Sequence, residues 1–156
     1  KNKNNKFEIS RTSMRINRNM PNFTYKIVKD IFKNKKKLKI AVFGITYKED
    51  VGDIRFSPSK ALIEKLEKNN FNIDVYDPLI DKLPQNIKAK LNLKFDYDKY
   101  DLIIFIVKNK LANKINFSNF RNNKKKIHII DTDNCLNKKN IDLINKKKLK
   151  FINLNA

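Results

Sequence analysis

Apolar residues along this chain follow two rhythms, and the change between them falls near residue 38. Before it, Phe7, Ile9, Met14 and Ile16 sketch a modest helical pattern over residues 6–19. Met20-Pro21 interrupts that pattern, and Pro is well placed in the first turn of a new helix, where its missing N–H has no intrahelical partner to lose. Phe23, Ile27, Val28, Ile31 and Phe32 then recur at spacings that form one stripe. The pattern predicts two successive helices, kinked or broken at Pro21, with the Lys-rich residues 33–37 as a linker.

After residue 38 the apolar runs shorten and alternate with amphipathic stretches. Leu38 to Phe43 is an apolar run that stops at Gly44 and reads as a buried parallel strand. A polar loop from Ile45 to Phe56 leads to Ser57-Pro58, a good N-cap with Pro at the first helical position. Ala61, Leu62, Ile63 and Leu66 supply the apolar face of that helix, which fades at Asn69-Asn70. Phe71 to Tyr76 alternates as a strand and ends at Asp77-Pro78. Leu102 to Val107 is the most apolar strand and so the centre of a sheet. Ile127 to Ile130 is the next strand, Ile141, Leu143 and Ile144 mark a short helix, and Leu149 to Leu154 forms the last strand. Residues 79–100 read as irregular structure with a short helix. Strands alternating with helices predict an α/β fold with an open, doubly wound parallel sheet of about five strands, preceded by a helical extension.

Composition narrows the picture. The 156 residues suit one compact domain with a short extension, and 40% hydrophobic residues are enough for a core. No apolar run approaches the ~20 residues that span a bilayer. Residues 1–6 lead into no apolar stretch, so they do not read as a secretory signal. The absence of an initial Met suggests a piece of a longer protein. The net charge of +20 raises the question of nucleic acid. Yet the arginines are few (Arg11, Arg15, Arg18, Arg55 and Arg121), and Arg makes the commonest specific base contact. The excess is lysine dispersed among Asn and Ile, and the runs at 35–37, 124–126 and 146–148 read as solvated loops. A single cysteine, Cys135, excludes an internal disulfide and a thiolate zinc cage from this chain alone, and fits a reducing, cytoplasmic setting. It reads as a small side chain beside a strand end. His128, inside an apolar strand and without a second His, reads as sheet-face packing. No metal site is expected.

In open α/β sheets ligands bind beyond the carboxyl ends of the strands. Three such ends carry polar residues: Gly44 to Arg55, Asp77-Pro78, and Asp131 to Asn134. The first gathers Thr46, Tyr47, Lys48, Glu49, Asp50, Asp53 and Arg55 in one connection. Lys48 and Arg55 are suited to phosphates. Gly44 allows a sharp turn at the strand end, and Gly52 permits positive φ. A charged surface loop closed by internal salt bridges explains the same residues equally well. There is no G-x-G-x-x-G after the first strand, so this domain should not cradle a pyrophosphate on a Gly-rich turn.

The run Ile40 to Pro58, containing Gly44-Ile45-Thr46-Tyr47-Lys48, then Asp53-Ile54-Arg55-Phe56-Ser57-Pro58, resembles the opening of the C-terminal domain of UDP-glucose/GDP-mannose dehydrogenases. Asn17 with Met20-Pro21 resembles the end of that family's central helical region, and Tyr76-Asp77-Pro78 its Tyr-Asp-Pro after the second strand. Asp101 to Val107 and Ile129 to Leu136 fall where its later strands do. The resemblance runs over roughly residues 10–154 and is firm at 38–80. It implies a Rossmann-like domain over 36–156, and a tail of the central dimerisation region over 1–35. It also implies a role as the nucleotide-binding part of an NAD-dependent enzyme that oxidises the sugar C6 alcohol of a UDP-sugar to a carboxylate. By resemblance Tyr47 and Lys48 contact the UDP-sugar, and Arg55 reaches NAD held mainly by a domain outside this chain. The reactive thiolate of the family belongs to a Gly-Gly-x-Cys-like motif upstream, so the chain alone is expected to be inactive and the full-length protein a homodimer. Two departures stand out: Asp133 where the family often has Arg, and Val107-Lys108-Asn109-Lys110 without the usual Thr and His. The rival readings are a stand-alone or decayed nucleotide-binding module without catalysis, and a basic nucleic-acid-binding domain.

Overall fold

A computed structural model describes residues 18–33, 35, 37–97, 99–120 and 127–155. The helical pattern expected over 6–17 and the lysines at 124–126 lie outside these residues. Residues 18–31 form a single helix, α1, so the break expected at Pro21 is absent from the described part. Its buried side is Pro21, Thr24, Val28 and Phe32, spaced three, four and four residues apart. Phe23, expected on that stripe, is instead 51% exposed.

Six parallel strands follow: β1 (Lys39–Phe43), β2 (Asn72–Tyr76), β3 (Lys90–Leu91), β4 (Leu102–Phe105), β5 (His128–Asp131) and β6 (Lys150–Asn153). Their order is β3-β2-β1-β4-β5-β6, the doubly wound arrangement in which the chain reverses direction at the β1/β4 boundary. The sequence led to about five strands because β3 is only two residues long and shows no alternation. The short helix expected within 79–100 is not formed. In its place Ile80, Leu83 and Ile87 fold back onto the core.

Alternation along the strands sorts the interior into two layers. Ile40, Val42, Ile73, Val75, Leu102 and Ile104 face α1 and α2 (Pro58–Glu67). Ala41, Phe43, Tyr76, Ile103, Phe105 and Ile129 face the opposite way. That second layer is covered by α3 (Lys110–Asn113), a 3-10 turn at Phe117–Asn119, and α4 (Lys138–Lys146). All four residues of β4 are fully buried, as expected of the central strand, and each contributes roughly 1.5–3 kcal/mol through burial. His128 packs edge-on against Phe32, with ring centroids 4.8 Å apart, in the sheet-face role expected of it. Lys146 and Lys147 belong to the end and C-cap of α4, where cations are stabilised by the negative end of the helix dipole, rather than to a loop.

Candidate functional site

The loop after β1 is fixed by backbone contacts before any ligand is considered. Gly44 adopts φ +87°, and a Cβ there would lie 2.6 Å from both the Cβ and the carbonyl oxygen of Val107. Only glycine lets the chains leaving β1 and β4 pass so closely at the switch point. Gly52 is needed for a different reason from the one expected. It is not among the residues at positive φ; instead a Cβ would sit 2.8 Å from the carbonyl oxygen of Leu79. The left-handed positions of the loop are taken by Asp50 and Phe56, both at φ 58°.

Asp77, fully buried at the end of β2, holds this loop from within. Its Oδ2 accepts the Ile45 N–H at 2.9 Å, the Thr46 N–H at 3.2 Å and the Thr46 hydroxyl at 3.2 Å. Its Oδ1 accepts the Leu79 N–H at 3.0 Å. Lower down, the Tyr47 N–H donates to the Asp53 carbonyl at 2.7 Å, and the Ser57 hydroxyl donates to the Thr46 carbonyl at 3.4 Å. The same Ser57 oxygen accepts the N–H groups of Ser59 and Lys60, capping α2. These interactions leave Tyr47, at 58% exposure, and Lys48 projecting from a pinned backbone. No carboxylate among the described residues pairs with Lys48.

Arg55 is also exposed, but it is occupied. Its Nε lies 3.1 Å from each Asp53 carboxylate oxygen, and a terminal nitrogen lies 2.8 Å from Oδ2. The guanidinium hydrogen bonds hold the Asp53 carboxyl down to about 2. The internal salt bridge that competed with a ligand role in the sequence therefore exists, and it involves Arg55 rather than Lys48.

The loop after β5 repeats the device. Asp131, fully buried, accepts the N–H groups of Asp133 at 3.2 Å, Cys135 at 2.8 Å and Leu136 at 2.9 Å. Thr132 donates its hydroxyl to the Phe105 carbonyl at 3.1 Å. Asp133 and Asn134 remain exposed, tied loosely to Asn155 and Asn153. Between the two loops, after β4, Asn109 donates to the Tyr76 carbonyl at 3.1 Å and caps α3. Lys108, exposed beside it, adds a cation at this edge to which the sequence reading gave no role. Asp77, Asp131 and Asn109 are thus structural acceptors and caps. A carboxylate at a strand end reads alike for a ligand contact and for a backbone staple, and only burial separates the two.

Among the described residues this edge carries exposed cations but no poised nucleophile. Cys135 is 4% exposed, and burial pushes its thiol up, so it stays protonated at neutral pH. The β1–α2 connection does not fit the pyrophosphate of NAD. It has no Gly-rich turn, and α2 starts at Pro58 with its first free N–H groups already bound by Ser57. No group of metal-ligating side chains occurs among the described residues. None of their helices is long and apolar enough to cross a membrane.

Fold and site together define a doubly wound α/β domain that presents cations at the carboxyl edge of its sheet. The family model described as the UDP-glucose/GDP-mannose dehydrogenase family, UDP binding domain, matches residues 41–138. A UDP-N-acetyl-D-mannosamine dehydrogenase of Methanocaldococcus jannaschii is 33% identical over 135 residues, covering 84% of this chain and 30% of the relative. One from Campylobacter jejuni is 32% identical over 112 residues, covering 68% and 28%. Among solved structures, a UDP-D-ManNAc dehydrogenase from Pyrococcus horikoshii shares the fold, with a TM-score of 0.64 and 21% identity over 92% of this chain and 32% of that one. The chain belongs to the UDP-glucose/GDP-mannose dehydrogenase family, and it matches that family's UDP-binding domain. It spans less than a third of the length of these relatives.

Proposed function

We propose that this chain is the substrate-nucleotide-binding part of an NAD-dependent UDP-sugar 6-dehydrogenase. The observation that carries the reading is Lys48: a cation without a carboxylate partner among the described residues, beside the exposed Tyr47, on a loop pinned at the switch point. A mobile ammonium and a ring with a polar tip suit a diphosphate and the uridine or sugar attached to it. Arg55 serves the cofactor. To reach an NAD phosphate it exchanges the Asp53 carboxylate for another anion, which is a near-neutral trade at an exposed site. The buried, protonated Cys135 supports a reactive thiolate outside this chain, and the absence of a Gly-rich turn before α2 supports an NAD-holding domain outside it. On this reading the chain alone binds UDP but does not turn over, residues 1–35 are the tail of the dimerisation region, and the full-length cytoplasmic enzyme is a homodimer.

Calorimetric titration of the chain with UDP tests the assignment. Lys48→Ala should weaken binding at least tenfold, about 1.4 kcal/mol. Arg55→Ala should leave UDP affinity within about twofold, since the guanidinium is committed elsewhere. UDP binding untouched by Lys48→Ala would remove Lys48 from the clamp. Tight, salt-sensitive duplex DNA binding, indifferent to that change, would favour a nucleic-acid-binding role instead.

A further inference from the structure

A cavity of about 590 Å³ lies at the opposite, amino-terminal edge of the sheet, well within the ~300–1,000 Å³ of small-ligand sites. It lies beyond the strand starts, where the α2–β2 turn and the approaches to β3 and β4 meet, so its lining is drawn from both sides of the sheet. On the side that bears Asp74 the connection from β3 to β4 crosses without regular helix, and Phe95 and Tyr97 pack against the second layer. The strand register then sets the chemistry. Lys39 pairs with Asn72, and Lys90 pairs with Asp74, so Lys39 on β1 and Lys90 on β3 flank β2 on one face. Neighbouring strands are ~4.8 Å apart, which places these lysines across a gap of about two strand spacings.

Four lysines line the cavity, Lys39, Lys88, Lys90 and Lys99, against two carboxylates, Glu67 and Asp74. Both carboxylates are already engaged. Glu67 accepts the Ala89 N–H at 2.6 Å. Asp74, 6% exposed, accepts from the Tyr100 hydroxyl at 2.6 Å and pairs with Lys99. Tyr100 is fixed in turn by the Tyr76 hydroxyl at 2.6 Å. Lys39, Lys88 and Lys90 consequently face the cavity with no carboxylate among the described residues to answer them. Like charges gathered around a concave surface raise the local concentration of anions. Phe71 and Ile73, whose side chains are buried in the layer under α1 and α2, also border the cavity.

We propose that this cleft is a second anion site, separate from the clamp at Lys48, which takes a small ligand carrying two or more phosphate groups. Its cations stand on two different strands and a loop, so a single phosphate cannot meet them all, whereas a chain of phosphates can. The wall built from Asp74, Tyr76, Lys99 and Tyr100 is hydrogen-bonded before the ligand arrives, so the ordering that opposes binding is confined to the exposed side chains of Lys39, Lys88 and Lys90.

The test is an amide-resolved NMR titration of the 156-residue chain with inorganic tripolyphosphate at ~0.15 M NaCl, an ionic strength that screens diffuse attraction beyond ~8 Å. Saturable shifts should appear at Lys39, Asn72, Lys90 and Tyr100. Lys88→Glu with Lys90→Glu should weaken that set at least tenfold, and Lys48→Ala should leave it unchanged. Both substituted lysines are exposed, so the fold should survive, and Lys39→Gln provides an independent milder variant. Shifts confined to residues 44–55, shifts that never saturate, or affinity unmoved by the double reversal would overturn the proposal. A parallel titration with a nucleoside triphosphate decides the source of the phosphates. Several-fold tighter binding with added shifts at Phe71 and Ile73 assigns a nucleotide, and equal affinity assigns the phosphate chain alone. Because UDP binding at Lys48 is read from a separate loop, failure of either site leaves the other intact.

Discussion

The division of labour within the loop after β1 comes down to one carboxylate and one guanidinium. Asp53 and Arg55 are both at the surface, so their fork of hydrogen bonds carries little stability, yet it decides where Arg55 points. The bond favours ionised Asp53, which is why its carboxyl is held down to about 2 from an ordinary 3.8. A depressed folded value means that the pair is complete above the ordinary carboxylate range and is lost as pH falls through about 2. Carbon-detected NMR should therefore find Asp53 titrating well below the ordinary 3.8, and Arg55→Ala should return it towards that value. If Asp53 titrates at the ordinary value in the unsubstituted chain, Arg55 is not held in solution and is already free for a cofactor. Phe56 follows directly, at φ 58° and 95% exposed. A bulky residue in the left-handed region and open to water satisfies neither backbone nor side chain, and nothing in the described residues explains it.

The elements are held in register by a few close approaches, of which the seam between β1 and β4 is the tightest. The Phe43 carbonyl receives the Ile106 N–H at 2.9 Å, and the next residue, Gly44, touches Val107. Gly44→Ala would place a methyl group against the Val107 backbone and force alanine to φ +87°. We expect a loss of about 3 kcal/mol, combining ~1–2 for left-handed backbone with ~1–3 for overpacking. For a chain of this size that lowers Tm by roughly 10 °C, measurable by circular dichroism. A variant as stable as the original would mean that the seam opens at little cost. The sequence made the long elements legible because their apolar runs carry their own period: β1, α2, β2, β4 and β5 lie where Leu38, Pro58, Phe71, Leu102 and Ile127 open them. It hid β3, α3 and the 3-10 turn, since two to four residues show no period and the Asn109 and Asn116 caps are common loop residues. At the candidate site, the motif drew attention to Tyr47, Lys48 and Arg55, and all three are exposed. The work of Asp77, Asp131 and Gly52 was not legible, because it depends on partners such as Thr46 and Leu79 that only the folded chain brings near.

At the scale of the whole molecule the +20 charge is the dominant fact, and its first effect is on the fold itself. Only four salt bridges occur among the described residues, and the Lys35, Arg55 and Lys60 pairs are partly or largely open to water. Added salt therefore weakens few attractions while screening many lysine–lysine repulsions that the compact state must tolerate. The screening length falls from ~10 Å at 0.1 M to ~3 Å at 1 M. The Tm of the chain should accordingly climb between ~0.05 and ~0.5 M NaCl, by several degrees, and flatten above it. Chloride rather than sulfate is the salt to use, because sulfate also strengthens apolar burial and would raise Tm for another reason. A Tm that falls with chloride would mean that the Asp74–Lys99 and Asp101–Lys35 contacts outweigh the net repulsion. The two proposed anion sites respond differently to salt and to phosphate. If a phosphate-bearing ligand stabilises through specific seats at Lys48 or in the basic cleft, its effect adds to that of chloride and saturates at low concentration. If it acts only by screening, it tracks ionic strength and vanishes once chloride has already lifted Tm to its plateau.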